Sequence, residues 1–373
     1  MRVALIHDYL NQYGGGERVL ETFSEIFPDA PVYTLFYDPE TTFQRFELKV
    51  RGTSFLDKDI VRKNHRPFIP LMPFATRFLK LQEEYDVILS SSAGFAKGIR
   101  YPKKVKHVSY CHTPLRYAWE HHNYFTDWSP ALKLISAPAF SYLRWWDRRA
   151  AQRPDVLLAN SHFIAEKVKR YYHRDAEVVY PPVDIKTFFW DKKISKDGYF
   201  LAIGRLIHYK RFDLVIQAFN KLNLPLVVVG IGSELERLKK MVRGKKIYFV
   251  PFVNETELRN LYNGAEAVIF PQVEDFGLVA AEAQACGTPV IAYGKGGVRD
   301  TVSKDAGVFF AEQTEESLAG ALQDFAKRTF DHAAIRKHAE KFSSRRFRQQ
   351  IKEIVAASAV HFRPAATRSS MAA

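Results

Sequence analysis

The chain has 373 residues, of which 47% are hydrophobic and 26% charged, and it carries a formal charge of +14. That length fits two cores of ordinary size, the composition excludes a largely disordered chain, and two cysteines exclude a disulfide framework and suit a reducing, cytoplasmic compartment. The charge favours an anionic partner such as nucleic acid, a phosphorylated sugar or an anionic membrane, without choosing among them.

The opening MRVALIHD carries an apolar run too short for a signal peptide and reads as a buried strand over 3–6. From there short β-branched runs alternate with helical patterns, the signature of βαβ units on a parallel sheet. Strands are predicted over 32–35, 86–89, 107–111 and 155–159, with helices over 17–27 and 164–172. Tyr180-Pro181-Pro182-Val183-Asp184 breaks the pattern, because consecutive prolines continue neither a helix nor an inner strand, and the domain boundary is placed there. The alternation then restarts with strands over 199–203, 226–229, 247–250, 267–270, 290–292 and 308–309. Helices over 212–222, 234–242, 255–262 and 278–285 fill the intervals. The expected fold is α/β, two Rossmann-like domains facing a cleft, over 1–183 and 184–343, with a flexible tail over 362–373. No stretch approaches the roughly 18 apolar residues of a spanning helix.

Ligands of such folds sit beyond the carboxyl ends of the strands, so the residues after each strand carry the functional reading. Gly14-Gly15-Gly16-Glu17-Arg18 follows the first strand and feeds a helix, and its amides at Gly15 and Gly16 are placed to approach an anionic or polar ligand. A tight turn explains the same glycines equally well. Neither this turn nor Gly230-Ile231-Gly232-Ser233 has the spacing of a dinucleotide fingerprint. Asp57-Lys58-Asp59 has the form of a metal-binding pair but lies among basic residues, away from the expected phosphate site. Residues 58–80 hold six Lys or Arg against one acid, mixed with Phe68, Phe74 and Phe78, which suits either an anionic lipid interface or a solvated basic surface. In the run 107–120 a strand ending at Cys111 sets His112 at its edge, as a ligand of sugar or acceptor or as a histidine satisfied by backbone; His7-Asp8 has the same two readings. The paired tryptophans of Arg144-Trp145-Trp146-Asp147-Arg148-Arg149 fit a lipid interface or a core.

In the second half Arg205 closes one strand and Lys210 opens the next helix, so two cations can neutralise a leaving diphosphate without a metal ion. Glu274 lies in the loop after another strand and Glu282 on the helix that follows. They can take donor-sugar and ribose hydroxyls while the amides of Phe276, Gly277 and Leu278 point at phosphate or sugar oxygens. Helix capping accounts for acids near a helix start as well.

These pieces together resemble glycosyltransferase family 4, retaining enzymes of the GT-B fold, over nearly the whole chain. The carriers are Glu274-Asp275-Phe276-Gly277-Leu278-Val279-Ala280-Ala281-Glu282, similar to the family's Glu-x7-Glu motif, its continuation through Pro289, Gly204-Arg205-Leu206 with Lys210, and the Gly14 and Tyr180 segments. The resemblance implies donor binding by the second domain, acceptor binding by the first, and a helix over 344–361 that crosses back. It implies that Glu274 touches the sugar, Glu282 the ribose and Arg205 with Lys210 the diphosphate, while the backbone near Val250 borders the base. No metal or other cofactor is implied. His7-Asp8-Tyr9-Leu10 and His112-Thr113-Pro114-Leu115-Arg116-Tyr117 look like bacterial polysaccharide mannosyltransferases. GDP-mannose as donor, a lipid-linked saccharide as acceptor in envelope or O-antigen synthesis, and the inner face of the membrane are therefore the expectations. The competitors are a UDP-sugar enzyme of the same fold, a nucleotide-sugar epimerase, an inactive scaffold and a basic nucleic-acid-binding protein. The acidic, glycine-lined segment between Glu274 and Glu282 argues against the last of these.

Overall fold

The central strands of two parallel sheets are apolar runs buried on both faces, as crossover helices require. In the computed structural model, which describes residues 1–120 and 130–360, the first sheet holds seven strands. They are β1 (Val3–His7), β2 (Val32–Thr34), β3 (Val50–Thr53), β4 (Val87–Ser92), β5 (Lys106–Cys111), β6 (Val156–Ala159) and β7 (Glu177–Val178). Their order is β3-β2-β1-β4-β5-β6-β7 with every pair parallel. The second sheet holds β8 (Tyr199–Ile203), β9 (Leu226–Val229), β10 (Ile247–Val250), β11 (Ala265–Phe270), β12 (Val290–Tyr293) and β13 (Gly307–Phe310). Its order is β10-β9-β8-β11-β12-β13, again all parallel. The strand order reverses between β1 and β4 in one sheet and between β8 and β11 in the other, which are the switch points where such sheets bind ligands.

The chain divides into two compact units. The first takes Met1–Asn160, Ile164–Val179 and the residues from Phe347 onward; the second takes Ser161–Phe163 and Tyr180–Arg346. The expected tail over 362–373 lies outside the described residues. Helix Ser344–Val360 begins in the second unit and supplies Phe347, Ile351 and Val355 to the core of the first. These residues recur every fourth position, so they form one apolar stripe. Phe347 lies 5.8 Å from the ring of Phe23, which belongs to helix Gly15–Ile26, and 5.7 Å from Tyr110. Each fully buried side chain of this kind is worth about 1.5–3 kcal/mol relative to exposure.

Two strands of the first sheet, β3 and β7, fall outside the sequence expectation. β3 alternates half-buried and exposed residues and carries Gly52, where a side chain would meet the Tyr33 ring at 2.9 Å; β7 is two residues long. Neither has an apolar run for the sequence to display. No helix among the described residues is long and apolar enough to cross a membrane.

Candidate functional site

At the second unit's switch point, the backbone after β8 packs directly on the backbone after β9. A side chain at Gly230, whose φ is +145°, would meet the carbonyl oxygen of Gly204 at 1.9 Å. One at Gly232 would meet that of Leu206 at 2.2 Å. The Gly230-Ile231-Gly232 turn therefore serves backbone contact, and it holds Arg205 at the strand end. Arg205 is exposed, with no side-chain hydrogen bond or ion pair among the described residues. Lys210 closes a short 3-10 turn, His208–Lys210, and its ammonium pairs with Glu274 in the loop after β11. Gln272 Nε2 donates to the same Glu274 oxygen at 3.0 Å.

The Glu274 loop is braced by a glycine pair that sequence reading passed over. Gly296 has φ +91° and a side chain there would meet the Glu274 carbonyl at 2.7 Å; one at Gly297 would meet the Asp275 carbonyl at 2.1 Å. Gly297 N–H also donates to Glu274 O at 2.8 Å. The available signal was Gly294-Lys295-Gly296-Gly297 directly after a strand. Gly277, at φ +95°, then opens helix Leu278–Ala285. Phe276 turns its ring into the core, 5.3 Å from Phe342, and Leu278 packs against the same core, so both offer the loop only their backbone. Glu282 is 4% exposed and accepts a hydrogen bond from Tyr262 Oη at 3.2 Å. Val250 ends β10, and its carbonyl accepts Gly230 N–H at 2.9 Å. The structure thus brings Lys210 and Glu274 into contact, whereas Glu282 lies within the protein beside Tyr262.

At the first unit's switch point the polar groups are buried. β1 and β4 pair with His7 opposite Ser91, so the two side chains share a face. His7 Nδ1 lies 3.0 Å from Ser91 Oγ, and Ser91 Oγ lies 2.7 Å from His112 Nε2. His7 Nε2 stands 3.6 Å from Glu17 Oε1, while Gly14 N–H donates to Glu17 Oε2 at 2.8 Å. Burial pushes the Glu17 carboxyl up, but the His7 and backbone hydrogen bonds outweigh it and leave its pKa below the usual value. Gly16 sits over this chain: a side chain there would lie 3.7 Å from both His112 Nε2 and His7 Cε1. Gly15 is exposed at the start of the helix. His112 is also anchored through its backbone, donating to Ser92 O at 2.8 Å and accepting from Asn160 Nδ2 at 3.0 Å. Sequence reading missed Ser91 and the part of Glu17; the signal was three consecutive serines, Ser90-Ser91-Ser92, at the end of a buried strand. Asp8 is structural, accepting the amides of Ala93, Phe95 and Ala96 at 2.6, 2.8 and 2.6 Å.

The remaining candidates separate cleanly. Asp57 accepts from Arg62 Nε at 2.6 Å and from the Tyr37 amide at 3.2 Å, which ties it to the fold. Trp146 packs on Phe95 at 5.5 Å while Trp145 is 57% exposed, so one tryptophan is core and one is surface. In helix Met72–Phe78, Met72, Ala75 and Thr76 are buried, whereas Phe74 and Phe78 are 50% and 61% exposed beside Arg77 and Lys80. Both cysteines are buried and neither is in a disulfide.

Family models and solved structures match the chain as follows. Residues 13–187 match the family model "Glycosyltransferase Family 4" and residues 184–342 match "Glycosyl transferases group 1". An uncharacterized glycosyltransferase of Methanocaldococcus jannaschii is 32% identical over 150 residues, 35% of this chain and 38% of that protein. D-inositol 3-phosphate glycosyltransferase of Mycolicibacterium smegmatis is 28% identical over 201 residues, 48% of this chain and 44% of its own. The matches therefore span less than half the length of these two relatives. Among solved structures, Anabaena HepE in complex with UDP superposes with a TM-score of 0.73 at 18% identity, over 96% of this chain and 100% of that one. Sucrose-phosphate synthase from Thermosynechococcus elongatus does so with a TM-score of 0.69 at 17% identity, over 97% of each chain. The two parallel-sheet domains are those of the GT-B fold.

Proposed function

We propose that this chain, a GT4-type glycosyltransferase by its family matches and its fold, moves a sugar from a nucleotide diphosphate donor to an acceptor hydroxyl with retention of configuration. The reading is carried by the meeting of Lys210, Gln272 and Glu274 where β8 and β11 reverse the strand order. A cation, an amide and a carboxylate there suit a substrate that is both anionic and polyhydroxylated. Arg205 and Lys210 take the charge of the departing diphosphate in place of a metal ion. Glu274 holds a donor-sugar hydroxyl, Glu282 the ribose, and the amides of Phe276 to Leu278 add the positive end of a helix dipole. Val250 borders the base. In the first unit the Gly15-Gly16 turn and His112 meet the substrates. The bond from the anomeric carbon to the diphosphate breaks, the acceptor oxygen bonds that carbon on the same face, and the hydroxyl proton goes to the leaving phosphate.

GDP-mannose is the donor proposed and a lipid-linked saccharide the acceptor, on the resemblance of the His7–Leu10 and His112–Tyr117 segments to bacterial polysaccharide mannosyltransferases. The exposed Phe74 and Phe78 among Arg77 and Lys80 suit a membrane-borne acceptor, in cytoplasm-facing envelope or O-antigen synthesis. A UDP-sugar is the second reading, favoured by HepE structures holding UDP and UDP-glucose. The test is nucleotide release from a panel of GDP- and UDP-sugars with a lipid-linked acceptor extract, with and without a chelator. Acceptor-dependent, chelator-resistant release from GDP-mannose, reduced about 10²–10³-fold in Arg205→Ala, is expected. Release from UDP-glucose alone overturns the mannose reading, and salt-sensitive nucleic-acid binding without any turnover overturns the enzyme. Phe74→Ser with Phe78→Ser should weaken flotation with anionic vesicles; unchanged flotation removes the membrane contact.

A further inference from the structure

The amino edge of the first sheet, opposite its switch point, carries a cavity of about 380 Å³ between the end of helix Met72–Phe78 and the segments that lead into β4 and β5. The six residues of β4 separate the two edges, about 20 Å at 3.3 Å per residue. The cavity floor is core: Leu79, Tyr85 and Val105 are each 5% exposed or less. The Tyr85 hydroxyl is taken by Tyr33 at 2.8 Å, so that residue offers the cavity carbon surface. The rim is charged. Lys104 pairs with Glu84 at 3.0 Å, which leaves Arg77, Lys80 and Arg100 against Glu83. These three cations are exposed, with no side-chain hydrogen bond or ion pair among the described residues.

Packing gathers further charge at the same place. A side chain at Gly98 would meet the Trp146 ring at 2.6 Å, so helix Pro130–Ala150 lies directly on the turn that precedes Arg100. This brings Arg149 and Arg153 toward Arg77 and Arg100: burial first, then the like charges of Arg100, Arg77 and Arg149, lower the Arg153 pKa, with Tyr101 opposing. Cations gathered in this way repel one another, and a bound anion relieves that repulsion. Beside them stand exposed rings, Phe78 with Phe74 one helical turn before it, and Trp145 under the Arg149 guanidinium at 5.8 Å.

We propose that this cavity binds the phosphate headgroup of an anionic membrane lipid, with Arg77, Lys80 and Arg100 on the phosphate and the apolar floor against the glycerol and first acyl carbons. Complementarity selects this occupant: free phosphate would leave the floor unfilled, and a neutral lipid would leave the cations unpaired. The inference rests on the membrane contact proposed above and assigns it a lipid group, on the edge of the sheet that the transfer chemistry does not use.

The test uses the full-length protein. Monomeric dihexanoyl phosphatidic acid, titrated calorimetrically, should bind the wild type, whereas dihexanoyl phosphatidylcholine and inorganic phosphate at the same concentration should not. Arg77→Gln with Arg100→Gln should weaken that binding about 10- to 30-fold. Lys240→Gln with Lys245→Gln, which removes the same charge from exposed positions of the second unit, should change it by less than about twofold. Equal losses in the two pairs, or equal binding of inorganic phosphate, overturn the headgroup site. With phosphatidylcholine vesicles, flotation of the wild type should require added phosphatidic acid and should fall in the arginine pair. Flotation lost in Phe74→Ser with Phe78→Ser but unchanged in the arginine pair overturns this site and leaves the membrane contact standing. Flotation unchanged in both variants removes the contact as well. Neither measurement reads turnover, so the outcome does not depend on which sugar is transferred.

Discussion

The two switch points hold their polar groups by opposite means. In the first unit His7, Asp8, Glu17 and Ser91 are buried and satisfied by one another or by nearby amides, so each side chain has one orientation. In the second, Arg205 is exposed and Lys210 and Glu274 are partly so, and it is glycine backbone that is locked, Gly230 on Gly204 and Gly297 on Asp275. Buried side-chain chains fix protonation and direction. Locked loops carrying accessible cations leave charge free to meet a charged ligand. The first arrangement fixes side-chain direction, and the second keeps charged side chains accessible on a rigid backbone.

The largest expected effect lies in the first unit and concerns stability alone. Lys97 and Asp147 form an ion pair at 2.6 Å with both side chains fully buried, and Asp147 also accepts from Trp119 Nε1 at 2.8 Å and Tyr172 Oη at 2.7 Å. Removing one partner leaves an uncompensated charge, at a cost of about 3–5 kcal/mol. Asp147→Ala should therefore lower the denaturant midpoint strongly, and Lys97→Met added to it should recover part of the loss. A milder effect would mean that water reaches the pair and that the first unit is not so dry.

In the second unit the expected loss is in turnover. Lys210→Met should slow transfer about 10²–10³-fold, equivalent to about 2.7–4 kcal/mol of barrier. Arg205→Ala should do the same while leaving stability within about 0.5 kcal/mol, since the side chain is exposed. Equal losses of stability and activity in Arg205→Ala would erase the contrast between the units.

Gly297→Ala should join the two behaviours. Its new methyl collides with the Asp275 carbonyl, so the brace under Glu274 has to move. Overpacking of this kind costs about 1–3 kcal/mol. A raised donor KM together with a lowered melting temperature is expected; a lowered melting temperature with unchanged kinetics would show that Glu274 does not depend on this brace.

How far the sequence could be read follows the same division. The second unit was legible because its strands are continuous apolar runs, β8, β9 and β10 among them, and because Glu274 and Glu282 flank one helix start at a local spacing. The first unit was less so. β3 and β7 are edges without an apolar signal, and Ser91 meets His7 only through strand pairing between segments distant in the chain. Lys97 and Asp147 likewise come together only through packing; nothing local marks either as buried. Motifs read well where function is held by adjacent backbone, and poorly where it is held by side chains from separate strands.

The last prediction probes the face opposite to Ser91. His107 is fully buried, with Nε2 2.8 Å from Ser90 Oγ and the Tyr101 ring 5.1 Å away edge-on. Burial pushes its pKa down from 6.5 to about 3, with Arg153 and Arg174 acting in the same direction and the Asp155 carboxylate opposing them. The folded protein therefore resists a proton that the unfolded chain accepts. Between pH 6.5 and about 3 the unfolded state binds more protons, so stability falls as the pH falls, by about 1.4 kcal/mol per pH unit for this one group. His65, pushed by burial to about 4, acts in the same direction over a narrower range. His107→Asn cannot titrate, so its stability between pH 6 and 4 should decline more gently than that of the wild type by roughly that slope, whatever its stability at neutral pH. Parallel curves would show that water reaches His107, and the burial that separates the first unit from the second would then not extend through the whole thickness of its sheet.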